Sequence, residues 1–175
     1  MTSAPHLSAT PSAGERPLQQ SRLRLRPEAP VSGYVDGAWW PRSRDLAAEL
    51  PALLAAPAVR LDGITRVSYG LAEWEAAPRR LVADGVRVRL NGFWTRPAHT
   101  LDLIAGDRRR LTLLVVPSDT DPFAAHHMMT SAARQDNADT VEDLFRAGVK
   151  RSEESTVDAW DTEGGRLPQQ KTREA

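Results

Sequence analysis

No cysteine occurs anywhere in the 175-residue chain. That single absence removes disulfide scaffolds, thiolate nucleophiles, iron–sulfur clusters and cysteine-based zinc sites. It fits a reducing compartment, and a cytoplasmic location is expected. Long apolar runs are missing too. The longest, 52–59, falls far short of the ~20 residues a membrane span needs and is broken by Pro57. The opening MTSAPHLSATPSAGERPLQQ has neither a basic start nor an apolar core, so it does not read as a secretory signal. Phosphate-cradling loops of the Gly-x-Gly-x-x-Gly or P-loop type are absent, and Gly33, Gly37, Gly63, Gly70, Gly85 and Gly92 stand singly, as turn glycines do. There is no HExxH, and His126 and His127 are neighbours that would diverge by roughly 100° on a helix, so they cannot share a metal. No cofactor, no metal and no membrane partner are expected. Lysine is nearly absent: Lys150 and Lys171 are the only two, and every other basic residue is arginine.

What is present is balanced in total and uneven along the chain. The 23 basic residues match 23 acidic ones, but 22–134 holds 16 basic against 12 acidic, and the remainder to 175 holds 6 against 10. This asymmetry is too small to argue nucleic-acid binding by itself. Residues 1–21 are rich in Ser, Pro, Ala and Gln without an aromatic, and cannot bury enough apolar surface to offset ordering entropy. They are expected to form a disordered tail, followed by a single domain over 22–134. In 135–148, Val141, Leu144 and Phe145 fall at helical spacing before Gly148, predicting a short docking helix that stops there. A second disordered tail is expected over 149–175.

The middle alternates with the period of half-buried strands. Leu23 and Leu25 alternate with Arg22, Arg24 and Arg26; Val86, Val88 and Leu90 alternate with Arg87, Arg89 and Asn91. Leu101, Leu103 and Ala105 form another such set, Gly63 to Tyr69 is rich in strand formers, and Leu111 to Val116 is apolar enough for a central strand. Asp36-Gly37 suggests a tight turn. Leu46, Leu50, Leu53 and Leu54 make a helical stripe that Ser43 can cap and Pro51 should kink. Asp121 or Thr120 can cap a second helix starting at Pro122 and running to about Arg134. Short connections between the later strands favour antiparallel pairing. The expected fold is α+β: a five- or six-stranded, mainly antiparallel meander with one or two packed helices.

The segments GYVDGAWWPRSRDLAAELPALL, GITRVSYGLAEW, VRLNGFW and LTLLVVP resemble an uncharacterised actinobacterial family known only as a domain of unknown function. The resemblance covers about Leu23 to Ala133, with DGAWWPRSRDL (Asp36–Leu46) its most specific part. It implies the domain limits and an actinobacterial source. It implies no activity.

Three functional readings follow. The first is a small binding or regulatory module with a protein or small-molecule partner. Trp39 and Trp40 are adjacent and would point to opposite sides of an extended segment, so one indole could face outward beside Asp36, Arg42 and Arg44, with Trp74 completing a surface. The bland alternative is that these aromatics plug a small core. The second reading is a small-molecule enzyme using Asp36, Asp45 or His99 as acid–base residues near the tryptophans. The third is anion or RNA binding by the arginine stripes of Arg22–Arg26 and Arg87–Arg89, against which stands the lack of stacking aromatics on those strands. Nucleic acid is therefore not the expected partner, no catalytic residue is assigned, and the oligomeric state is open.

Overall fold

A computed structural model describes residues 22–27, 33–56, 59 and 61–151; the tail expected over 1–21, and all but 149–151 of the tail expected over 149–175, lie outside the described residues. Strands β1 (Leu23–Leu25) and β2 (Gly37–Trp39) lead into helix α1 (Leu46–Leu54). Five strands follow: β3 (Ile64–Gly70), β4 (Arg80–Ala83), β5 (Val86–Phe93), β6 (Thr100–Ala105) and β7 (Arg110–Val115), then helix α2 (Pro122–Ala132). A third helix, α3, begins at 141 and includes 151, the last described residue.

The α+β class is as expected and most strand pairs are antiparallel, but the sheet is mixed and is not a meander of five or six strands. One seven-stranded sheet runs β1-β2-β7-β6-β3-β5-β4, with β2 parallel to β7 and β3 parallel to β5. Helices α1 and α2 pack on it, within the one or two expected for 22–134, and α3 overlaps the separate stretch 135–148. Two local causes account for the difference. The sequence pattern assigns no element between Tyr69 and Val86, but β4 lies there and takes the sheet edge; the chain then turns through Asp84 and Gly85, both at positive φ, and lays β5 between β4 and β3. At the opposite edge, Asp36-Gly37 is no turn, because Gly37 opens β2.

Gly37 is there for space. A Cβ on it would lie 2.3 Å from the Arg24 carbonyl oxygen and 2.8 Å from the Leu25 Cα, and neither backbone atom can move aside. Gly37→Ala is therefore expected to destabilise the fold by about 1–3 kcal/mol, the usual cost of overpacking. A urea midpoint equal to that of the parent would contradict this close approach of β1 to β2.

Alternation sorts the side chains into two cores. On one face Leu46, Leu50 and Leu53 of α1 meet Val67, Tyr69, Leu101, Leu103, Leu113 and Trp39. Each fully buried leucine contributes about 1.5–3 kcal/mol. On the other face Ala124, Ala125, Met128 and Met129 of α2, with Leu144 of α3, cover Ala38, Trp40, Leu114 and Val116. This second cover reaches β1, β2 and β7, while Arg66, Arg80, Arg87 and Arg89 on β3, β4 and β5 remain exposed.

The caps are local in origin. Asp45, not Ser43, caps α1 by accepting from the Ala48 N–H at 3.1 Å; the Ser43 hydroxyl instead donates to Glu49 at 2.9 Å. The helix continues through Pro51 without restarting. Asp121 caps α2 ahead of Pro122. At α3 the Thr140 hydroxyl donates to Asp143 and accepts from its N–H, and this hydrogen bond holds the Asp143 carboxyl below its ordinary range. Gly148 does not stop α3, which runs on through 149–151. A Cβ there would sit 2.3 Å from the Met128 Cε, so the glycine lets α3 lie close against α2.

Candidate functional site

β2, β7, β3 and β5 all run in one direction, so their carboxyl ends open on the same side of the sheet. Ligands of open α/β sheets gather at such ends. A cleft of about 440 Å³ lies here, lined by Pro41 and Arg44 beyond β2, Glu73 and Trp74 beyond β3, His99 ahead of β6, and Asp119 beyond β7.

The Arg44 guanidinium pins the wall by donating to the backbone carbonyls of Glu73 at 3.0 Å and Ala72 at 3.2 Å. Trp74 is buried and stacks on Trp39 with ring centroids 5.5 Å apart and planes at 19°. His99 stands at φ 57, a left-handed conformation that persists in a non-glycine residue only where its surroundings hold it. Here its backbone N–H donates to Glu73 Oε1, and its Nδ1 lies 3.4 Å from the same oxygen. Phe145 of α3 packs on the imidazole at 4.3 Å. The other Glu73 oxygen, Oε2, and the Trp74 Nε1 are both buried with no hydrogen-bond partner among the described residues. Two adjacent residues thus hold an unmet acceptor and an unmet donor in one wall.

The expected site residues separate. Arg44 and Trp74 line the cleft, and Trp39 backs it. Trp39 and Trp40 do point to opposite sides, but both are buried, at 4% and 6% exposure. The outward indole is missing because Trp39 is stacked on Trp74 in the core that α1 shares, while α2 and α3 cover Trp40 on the other face. Trp40 is held structurally: its Nε1 donates to the Pro117 carbonyl at 3.1 Å and the Arg22 guanidinium lies 4.2 Å above its ring. Arg42 is exposed, with no outward indole beside it. Asp36 pairs with Arg26 at 3.3 Å and accepts from the Thr112 N–H at 2.8 Å, tying β1 and β2 to β7.

Of the three acid–base residues considered, Asp36 and Asp45 are spent on structure and only His99 reaches the cleft. Its carboxylate is Glu73, which the sequence reading passed over. The one signal was an acid directly before a tryptophan just past a strand end. His126 is exposed, and among the described residues no group of three potential metal ligands converges.

The architecture is thus a mixed α+β sheet, helices on both sides, with a cleft of mixed polar and apolar lining where like-directed strands end. The chain belongs to a family of unknown function, DUF5994, which residues 22–132 match. No curated protein and no solved structure matches it. The matched stretch ends with α2, so α3 and its Phe145 lie beyond it. Among the described residues no helix is long and apolar enough to cross a membrane.

Proposed function

We propose that the protein is a small-molecule-binding module whose ligand occupies the Glu73–Trp74–His99 cleft. One observation carries the reading: Glu73 Oε2 and Trp74 Nε1, on adjacent lining residues, are buried without a protein partner among the described residues. Each such atom costs about 1–3 kcal/mol when left unpaired. A ligand with a donor and an acceptor on neighbouring atoms, such as a primary carboxamide or an amino alcohol, complements both. Because both atoms are closed to solvent, the Glu73 carboxylate and the Trp74 indole must both turn toward the cleft on binding, and His99 must follow the carboxylate. Pro41, Val115 and Pro117 offer apolar contact to the rest of the ligand.

The test is a ¹H–¹⁵N titration of the full chain with glycinamide, ethanolamine and nicotinamide. Saturable shifts centred on Arg44, Glu73 and His99 are expected with at least one of them. Three flat titrations, or shifts centred on β1 and α2, would contradict the reading.

The His99–Glu73 contact favours a second reading, acid–base chemistry in the same cleft. A carboxylate beside Nδ1 orients the ring, leaving Nε2 to exchange a proton with a substrate. Turnover on this reading should vanish in His99→Gln while ligand binding persists.

A further inference from the structure

The open half of the second sheet face has a construction that folding alone does not favour. Arg89 on β5 lies directly opposite Arg80 on β4 and level with Arg66 on β3. Like charges facing each other across strands are destabilising. No acid relieves them: none of Arg66, Arg80, Arg87 and Arg89 joins an ion pair among the described residues. Asp102, the buried acid on this face, is committed to Arg96 at 2.9 Å.

The four arginines line a groove of about 480 Å³. A second groove, of about 730 Å³, shares Arg80 and Arg89 with it and follows the edge that β5 presents past Asn91 to Phe93, where Tyr69, Leu71 and Leu90 of the opposite core also line it. Phe93 is the residue that changes the reading. The sequence pattern ended this strand at Asn91, but β5 runs on to Phe93. Period-two alternation then puts Phe93 on the same face as Arg87, Arg89 and Asn91, and the residue is 43% exposed. From Arg87 to Phe93 the track is ~20 Å long. The missing stacking aromatic, the objection to an anion-binding sheet, is therefore present. The β1 arginines are not part of it, since β1 and β5 stand near opposite edges of the sheet.

We propose that this face binds single-stranded nucleic acid, with phosphates on Arg66, Arg80, Arg87 and Arg89 and a base stacked on Phe93. Phosphate supplies the counter-charge that the opposed arginines lack, and a sheet aromatic beside a basic groove is how sheets hold unpaired bases. Asn91, between Arg89 and Phe93, can hydrogen-bond a base edge. An anionic membrane would also satisfy the charge, but it has no use for a single ring in line with an amide and arginines. The site is separate from the Glu73 cleft, and either can fail alone.

The experiment is fluorescence anisotropy of the full chain with labelled twelve-residue oligo(U) and oligo(dT) at several salt concentrations. Four neutralised phosphates give a slope of log K against log salt of about −3. Arg66→Gln with Arg89→Gln should flatten the slope by about 1.4. Phe93→Leu should weaken binding about fivefold or more with the slope unchanged. All three side chains are exposed, and relieving the like-charge pairs favours folding, so neither arginine variant should melt below the parent and Phe93→Leu should melt close to it. A slope shallower than −1, or arginine variants that bind like the parent, overturns the proposal. So does equal binding to phosphatidylserine vesicles with no effect of Phe93→Leu, which would make the face a membrane surface instead.

Discussion

Alanine at position 102 is expected to cost the fold about 3–5 kcal/mol, a large part of the stability of a small domain. Asp102 sits on β6 with its side chain 6% exposed, between Ser68 on β3 and Thr112 on β7. It accepts from the Thr112 hydroxyl at 2.9 Å and pairs with Arg96 at 2.9 Å; Arg110 stands further off, at 3.9 Å. Arg96 is itself only 17% exposed, and its Nε has no partner among the described residues. Removing the carboxylate leaves most of a guanidinium and a hydroxyl out of water with nothing to meet. Removing both charges is different, because a well-packed apolar pair avoids the desolvation cost of the ions. Asp102→Leu with Arg96→Met is expected to recover at least half of the loss. Urea denaturation of the single and double variants checks this. A loss below about 1 kcal/mol for Asp102→Ala would mean that the pair does not hold β6 to the 94–99 connection.

Glu73→Gln should separate binding from stability. The amide keeps an oxygen for the His99 N–H, so the wall can stay in place and stability should move by less than about 1 kcal/mol. The carboxylate's charge is lost, and a hydrogen bond to a charged group contributes about 1.5–3 kcal/mol. Affinity for whichever of glycinamide, ethanolamine or nicotinamide binds the parent should therefore fall roughly 10- to 150-fold. Calorimetric titration alongside a thermal melt measures both. If stability collapsed while affinity per folded molecule stayed the same, Glu73 would be a structural acid and the ligand would lie elsewhere.

What the sequence made legible was whatever a local period or a local cap encodes. Val86–Leu90 and Leu101–Leu103 alternate strictly and form strands; Asp121-Pro122 starts a helix. β4 escaped because it is four residues long and lies beside Pro78 and paired arginines. Phe93 escaped because Gly92 seemed to end the pattern; in fact that glycine leaves room for Leu71, whose Cδ2 would be 2.4 Å from a Cβ there. The two parallel pairings are non-local and have no signature within either strand. The tryptophan pair shows the same limit. That Trp39 and Trp40 diverge is backbone geometry and could be read directly. That both sides are buried depends on α2 and α3 returning to cover β2, which no property of DGAWWPRSRDL encodes. The cleft is the extreme case, since its walls come from separate loops and Glu73 alone looks like an ordinary loop acid.

The central claim, that a ligand meets Glu73 and Trp74 in this cleft, is tested most directly at the Trp74 indole. The chain has five tryptophans, so the indole N–H region of a ¹H–¹⁵N spectrum is sparse, and Trp74→Phe assigns the signal. Titration with the carboxamide or amino alcohol that binds should move the Trp74 indole proton downfield and saturably as Nε1–H gains an acceptor, with no such shift in Glu73→Gln at the same concentrations. A Trp74 indole signal that stays fixed while another site saturates would contradict the account.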